Sequence, residues 1–349
     1  MANSHVHTLE IVEVIKETDA AVSLVFEIPD ELVSRFRYHP GQFLTLEVPS
    51  EQSGSVARCY SLSSSPYLDD DAIVTVKRTI GGYASNWLCD NASVGMRLRV
   101  LAPSGVFVPK SLDADLLLLA AGSGITPIMS IAKSALIAGS GTVLLVYAND
   151  DAHSVIFGAE LDDIATEFPD RCTVLHWLES ERGLPSADDL RDLLVPYPAY
   201  EAFLCGPGPF MTACTAALHA INMPDKHIHH EKFQSLTGDP FADIEVAAAA
   251  APSRWQADAV ATATVQLDGR TIELPWPRTS TLLDTLLANG YDAPYSCRAG
   301  ECSACACTVR AGKVRMLRNE TLVDADLALG LTLACQSVPL TDHVEIDFD

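Results

Sequence analysis

The sequence predicts a multidomain chain: an antiparallel β-barrel, then an α/β domain with a parallel sheet, then a smaller unit that opens with a hairpin. Three observations carry that prediction. Through roughly the first hundred residues, short apolar runs alternate with turn residues, as in "HTLEIVEVIKE", "AVSLVFEIP", "FLTLEVP" and "AIVTVKR", with little helical period. After "APSGVFVP" the pattern becomes strand, glycine turn, amphipathic helix and second strand in "DLLLLAAGSGITPIMSIAKSALIAG" and "TVLLVYAND", the order of a parallel α/β unit. A length of 349 residues suits two or three domains, each able to bury its own core without disulfides.

The barrel is expected over residues 1–108. The α/β domain follows over 109–233, with a helix in "SVIFGAELDDIATEF", strands in "RCTVLHWLE" and "EAFLCGP", a helix in "FMTACTAALHAI" and an end near "HIHHEKF". Residues 234–258 have no period and include five consecutive alanines, so they read as a linker. The last domain, 259–349, begins with "TVQLDGRTIELPW", whose Asp268 and Gly269 suit a tight hairpin turn. "TLLDTLLANG" is a short helix that Gly290 stops, just ahead of a run of cysteines.

A total of 46 acidic against 23 basic residues gives a formal charge of -23. Such a surface repels phosphate backbones and anionic lipid, which argues against nucleic-acid and peripheral membrane binding. The stretch "MANSHVHTLEIVEVIKE" lacks the basic and apolar regions of a leader, and no window reaches the ~18–20 apolar residues of a membrane span. A cytoplasmic setting is the expectation. There thiols stay reduced, and clustered cysteines hold metal more often than they pair.

Cys297, Cys302 and Cys305 form CxxxxCxxC, and Cys335 in "LTLACQSV" supplies a fourth thiol. This is the plant-type [2Fe-2S] spacing. Ala299, Gly300, Ser303 and Ala304 are small enough for the loop backbone to close round a cluster and aim N–H groups at its sulfurs, and Gly300 suits a positive φ. Structural zinc is usually announced by paired CxxC halves, which this run lacks. Cys307 falls outside the four-ligand spacing and reads as a packing residue, as do the side chains of Cys59, Cys89, Cys172 and Cys214.

In the barrel, "YHPGQFLTLEVP" leads into "SVARCYSLSSSP", where Arg58, Tyr60 and Ser61 make an RxYS motif around Cys59. A guanidinium can fork onto a pyrophosphate, a tyrosine offers a flat face to an isoalloxazine, and Ser61 can reach flavin N5. "VTVKRTIGGYASNWL" then supplies Val76 beside Lys77, a second phosphate charge, and sets Gly82, Tyr83 and Ser85 at a helix N-terminus that favours an anion. "LLLLAAGSGITPIMSI" is a strand followed by Gly122, Ser123 and Gly124, with Thr126 as the expected N-cap and Pro127 as the first helical residue, a turn over which a dinucleotide pyrophosphate can sit. "LCGPGPFM" ends a strand at Cys205, and the turn through Gly206 and Pro207 leaves a low ledge for a nicotinamide. Glu231 is either a solvated charge or part of a hydride path. His227, His229 and His230 suggest a metal only weakly, since cysteine and aspartate are scarce around them. Asp150 and Asp151 follow the second parallel strand, where carboxylates favour the ribose 2′-OH of NADH over the 2′-phosphate of NADPH.

PGQF, RxYS and the downstream glycine turn, in that order, resemble the ferredoxin–NADP reductase family. The resemblance implies that Arg58, Tyr60, Ser61, Gly82 and Ser85 bind flavin, usually FAD, that Cys205 lies beside the nicotinamide, and that Phe233 covers the flavin. It also groups Ser61, Cys205 and Glu231 around the hydride path. The order of flavin barrel, NAD domain and plant-type ferredoxin, the last implying a β-grasp (α+β) fold, is similar to the reductase components of multicomponent oxygenases. More narrowly, "GSVARCYSLSS", "VKRTIGGYASNWLCDN", "AAGSGITPIMSI" and "CRAGECSACACTV" resemble reductases of 3-ketosteroid 9α-hydroxylases, with phenylacetyl-CoA epoxidase reductases as near relatives. Asp150 departs from the pattern, since some relatives carry arginine there. The expectation is an NADH-dependent FAD and [2Fe-2S] reductase that passes single electrons to a terminal oxygenase, Rieske-type in the steroid case. The rivals are a reductase feeding a di-iron epoxidase or another aromatic oxygenase, and a redox sensor without turnover.

Overall fold

Alternation along the N-terminal strands turns one side chain in two toward the inside of a closed sheet. The computed structural model describes residues 6–50, 54–233, 236, 240–241 and 260–348, so the linker expected at 234–258 lies almost wholly outside the described residues. Strands β1 (Val6–Thr18), β2 (Ala21–Glu27), β3 (Phe43–Ser50), β4 (Gly54–Ser61), β5 (Ala72–Lys77) and β6 (Arg97–Ser104) lie in the order β4-β3-β6-β1-β2-β5, with helix α1 (Tyr83–Asn91) between β5 and β6. The pairs β1–β2, β2–β5 and β3–β4 are antiparallel. A bridge between Leu62 and Val74 ties the chain beyond β4 to β5 and closes the barrel. Leu24, Phe26, Leu44, Leu46 and Val74 fill it, and α1 adds Leu88.

Strand β7 (Leu116–Ala121) is buried at every position, as a strand covered on both faces must be. It is followed by a 3₁₀ turn (Gly122–Gly124), α2 (Ile125–Ala138), β8 (Val143–Asn149), α3 (Gly158–Glu167), β9 (Cys172–Leu178), α4 (Glu179–Arg182), α5 (Ala187–Leu194), β10 (Glu201–Cys205), α6 (Gly208–Ala220) and β11 (Ile228–Glu231). All four pairings in the order β11-β10-β7-β8-β9 are parallel. Leu116 and Leu118 pack on one face with α2 and α3, Leu117 and Leu119 on the other with α5 and α6. The chain runs outward from β7 to β8 on one side and returns to β10 on the other. That reversal opens a crevice at the carboxyl ends of β7 and β10, where open parallel sheets bind ligands. The α/β half and the barrel form one compact unit, His7–Pro103 with Phe107–Phe233.

The C-terminal unit, described from Val260, starts with β12 (Val260–Leu267) and β13 (Arg270–Pro277). Asp268 and Gly269 both take positive φ, 52° and 67°, giving the tight turn expected of Asp-Gly. Helix α7 (Leu282–Ala288) starts at Thr281, whose hydroxyl accepts the Asp284 N–H, and ends ahead of Gly290 at φ 80°. Then come β14 (Ala306–Ala311), β15 (Val314–Met316), α8 (Asp324–Ala328), β16 (Leu331–Leu333), β17 (Ser337–Pro339) and β18 (His343–Asp347). The main sheet runs β13-β12-β18-β14-β16, with β12 and β18 parallel at its centre, and it packs Trp276, Leu282, Leu283 and Leu286 into the core of a β-grasp fold. Among the described residues no helix is long and apolar enough to cross a membrane.

Candidate functional site

In the barrel, β3 and β4 pair so that Leu46 stands opposite Arg58, Leu44 opposite Tyr60 and Phe43 opposite Ser61. Alternation puts Arg58 and Tyr60 on one face of β4, Cys59 and Ser61 on the other. Burial pushes the Tyr60 phenol up, against the pull of the Arg58 guanidinium. Arg58 is half-buried and donates from Nη1 to the Ala57 carbonyl at 2.7 Å. Cys59 Sγ and Thr45 Oγ1 share a hydrogen bond at 3.5 Å, and Ser61 and Val76 are buried.

Gly82 is the N-cap of α1, and no side chain caps this helix. Ser85 Oγ instead accepts the Thr79 N–H at 3.1 Å, and Asn86 donates to the carbonyls of Thr79 and Gly82. Tyr83 is partly exposed and pins the helix to the end of β3 through the Pro49 carbonyl, 3.0 Å away. A first turn without a side-chain cap leaves the N–H groups that an anion needs, so the set fits the phosphates and ring of a flavin dinucleotide.

The dinucleotide turn sits in the crevice. Gly122 has φ 53°, which favours glycine, and its carbonyl accepts the Tyr147 hydroxyl at 3.0 Å. Lys77 reaches across from the end of β5: its Nζ lies 3.3 Å from where a Cβ on Gly122 would stand, so its charge faces this turn. Gly124 closes on the second turn. A Cβ there would lie 2.1 Å from the Cys205 carbonyl oxygen and 2.8 Å from Gly206 N, so the two turns meet backbone to backbone.

One expectation is corrected here. The N-cap of α2 is Gly124, not Thr126, and the helix starts at Ile125, ahead of Pro127. The 3₁₀ turn runs straight into the α-helix, and Thr126 Oγ1 donates back to the Ser123 carbonyl at 3.1 Å rather than capping.

Cys205 ends β10 in register with Ala120 on one side and Glu231 on the other. It is 1% exposed, and burial, with the Glu231 charge adding, drives its thiol far above the usual range, so it stays neutral. The structure thus brings Cys205 and Glu231 together with Gly124, Gly206 and the start of the turn at Pro207. Phe233, just beyond β11, is 50% exposed, a large aromatic left uncovered at the end of the domain. Asp150 is exposed at the end of β8, and its carbonyl accepts the Ser180 N–H. Asp151 is committed locally, its carboxylate accepting the Ser154 N–H at 2.9 Å. Sequence reasoning missed Asn149. It is 6% exposed at the carboxyl end of β8, and its side-chain amide lies beside the Tyr147 hydroxyl that donates to the Gly122 carbonyl. A buried amide beside a glycine turn of this shape fits a dinucleotide.

The histidines find protein partners: His227 and His229 share the two oxygens of Glu201, at 2.5 and 3.0 Å, and His230 pairs with Thr215 at 2.9 Å. Among the described residues no three His, Cys, Asp or Glu side chains gather round a single ion. A two-iron cluster asks only two protein ligands of each iron. An open cavity of about 380 Å³ lined by Glu47, Arg97 and Arg99 includes none of the predicted site residues.

In the C-terminal unit all four candidate ligands are buried in one loop and the segment after β16. Arg298 and Gly300 take positive φ, 54° and 74°, which coils the loop so that the N–H groups of Ala299 and Glu301 point at Cys297 Sγ, 3.4 and 3.3 Å away. Cys297 N–H points at Cys302 Sγ at 3.4 Å and Cys335 N–H at Cys305 Sγ at 3.5 Å, and a side-chain contact between Cys297 and Cys335 joins the two pairs, so the four sulfurs lie together. Contacts with Cys302 and Cys335, helped by those N–H groups, hold Cys297 well below the thiol range, while contacts with Cys297 and Cys305 raise Cys335. Buried sulfurs facing backbone donors suit thiolates that bind iron. Cys307 lies on β14, its thiol donating to the Thr332 carbonyl, and burial raises it well above its usual range.

Comparison with known proteins agrees. Three family models match: an oxidoreductase FAD-binding domain over residues 8–108, an oxidoreductase NAD-binding domain over 118–216 and a 2Fe-2S iron-sulfur cluster binding domain over 265–340. The 3-ketosteroid-9-alpha-monooxygenase ferredoxin reductase component of Mycobacterium tuberculosis is 60% identical over 351 residues, covering 99% of this chain and 96% of that protein. One component of the 1,2-phenylacetyl-CoA epoxidase of Escherichia coli is 35% identical over 359 residues, covering 98% of both. The solved structure of phthalate dioxygenase reductase shares the fold, with a TM-score of 0.58 at 21% identity over 98% of each chain. The chain belongs to the family of FAD-, NAD- and [2Fe-2S]-binding oxidoreductases that includes the ferredoxin reductase component of 3-ketosteroid-9-alpha-monooxygenase.

Proposed function

We propose that this protein draws electrons from NADH in the cytoplasm and delivers them singly to a Rieske-type 3-ketosteroid 9α-hydroxylase oxygenase. When bound, the flavin would take up two electrons together as one hydride and give them up singly, and the [2Fe-2S] cluster would carry them one at a time. The chain's own residues do the placing. Arg58, Lys77 and the first turn of α1 hold phosphate charge, and Cys59 and Val76 line the flavin site. Tyr60 and Phe233 flank the ring, and the turns at Gly122–Gly124 and 206–207 seat the dinucleotide. Cys205, as a neutral thiol, shapes the nicotinamide ledge without charge, and Ser61 and Glu231 complete the hydride path. The backbone contact of Gly124 with Cys205 is the observation that carries this reading, because it joins phosphate turn and nicotinamide ledge into one seat.

NADH preference follows from the end of β8. Asp150 and Asp151 are both exposed there, Asp151 with one carboxylate oxygen on the Ser154 N–H, and Asp150, beside Asn149, disfavours a 2′-phosphate by on the order of 1–2 kcal/mol in a partly screened site. Asp150→Arg should narrow the ratio of kcat/KM for NADH over NADPH by about tenfold. An unchanged ratio in steady-state assays would remove Asp150 from cofactor selection.

The C-terminal unit carries twelve acidic against seven basic residues from position 259 onward, which suits a brief, salt-sensitive encounter with a basic docking face. Reconstitution with NADH and candidate oxygenases tests the acceptor, following substrate hydroxylation rather than NADH loss. Coupled turnover with a di-iron epoxidase and none with a steroid Rieske oxygenase would reverse the assignment.

A further inference from the structure

We infer that Lys133, with Ser130 and Ser134 on the same face of α2, is a positioning element for hydride transfer: it locks the segment that follows the flavin motif onto the helix that begins at the dinucleotide turn. This rests on the reading of those two motifs given above.

The three residues stand three and four positions apart, so they share one side of the helix. Ser130 and Ser134 are fully buried and Lys133 is 5% exposed, in a helix whose neighbouring residues Ile128, Met129, Ile131 and Ala132 belong to the apolar core. The segment opposite, residues 62–69, leaves β4 directly after Ser61, and its Ser64 and Ser65 are also fully buried. Ser130 Oγ donates to the Ser64 carbonyl at 2.6 Å, Ser65 and Ser134 hydroxyls meet at 2.9 Å, and Lys133 Nζ lies 3.0 Å from Asp69 Oδ2 and 3.1 Å from Glu160 Oε1. The same Asp69 oxygen accepts the Ser65 N–H at 2.6 Å. On the barrel side, Ser64 Oγ accepts from the Tyr38 hydroxyl and the Ile73 N–H, at 2.7 and 3.0 Å. The segment is therefore gripped from both layers.

A buried amine among aliphatic side chains is a poor source of stability, because desolvation offsets what its ion pairs return. What such a network supplies is a single register. Apolar surfaces tolerate a slide of some tenths of an ångström, whereas a shift here orphans buried donors and acceptors. Hydride transfer depends steeply on the donor–acceptor gap, so a helix that carries the dinucleotide turn at one end and grips the flavin-side segment at its middle sets that gap.

The test uses the holoprotein. Lys133→Met should retain full FAD content and the native NADH dissociation constant, while the limiting rate of anaerobic flavin reduction by NADH falls about tenfold and the long-wavelength charge-transfer absorbance of the NADH complex weakens. Lys133→Arg should recover most of both. Ser130→Ala, which keeps the lysine and is the milder change, should lower the limiting rate several-fold. A limiting rate and charge-transfer band within about twofold of the parent in Ser130→Ala, and in Lys133→Met where it folds, would overturn the proposal, whatever the thermal stability of either. If NADH fails to reduce the flavin of the parent protein, the underlying reading falls instead.

Discussion

Serine at Cys297, Cys302, Cys305 or Cys335 is expected to abolish the reduced-state EPR signal of the [2Fe-2S] centre, and serine at Cys307 to leave it intact. The four sulfurs lie together behind the coil made by Arg298 and Gly300, and each change removes one of four ligands, which a cluster of this type does not replace from solvent. Cys307 belongs to a strand, its thiol on the Thr332 carbonyl, and a serine there costs at most a packing adjustment of about 1 kcal/mol. FAD content should survive all five changes, since the flavin motifs lie in the other unit. Loss of the signal in Cys307→Ser with retention in Cys335→Ser would reverse the ligand assignment.

Gly124→Ala is expected to lower NADH-driven flavin reduction on the order of a hundredfold while dithionite still reduces flavin and cluster normally. The added methyl would meet the Cys205 carbonyl oxygen at 2.1 Å and Gly206 N at 2.8 Å. Both are backbone atoms at the carboxyl end of the buried strand β10, so relief requires the two turns to part, and with them the seat for the dinucleotide. Gly208→Ala is the control. A Cβ there meets nothing within 4 Å, and the rate should stay near that of the parent. Stopped-flow absorbance with FAD content measured in parallel decides the matter, and a parental rate in Gly124→Ala would show that the contact does not govern the seat.

Much of this was legible in the sequence because the signals are local. CxxxxCxxC, the Asp-Gly turn, the apolar run of β7 and the GSG turn each depend on a few neighbouring residues, and each lies where its pattern puts it. What escaped depends on the fold. The four residues of β11, "IHHE", have no strand-like apolar alternation, and they become a strand only because β10 offers an edge. Helix α5 hides in an acidic stretch, "SADDLRDLL", and its capping box of Ser186 and Asp189 was the missed signal. Thr126 had the right identity for an N-cap, but the preceding 3₁₀ turn had already begun the helix. The approach of Lys77 to Gly122 and the grip of Lys133 on Asp69 join residues far apart in sequence, which no spacing rule foresees.

The central claim is that one chain carries electrons from NADH through flavin to the iron–sulfur centre. Anaerobic titration of the holoprotein with NADH, read by flavin absorbance and by EPR on the same samples, tests it most directly. The account predicts that the flavin bleaches and the [2Fe-2S] signal grows without any added mediator, and that Cys335→Ser keeps the first change and loses the second. A flavin fully reduced by NADH beside a cluster that stays oxidised until dithionite is added would contradict it.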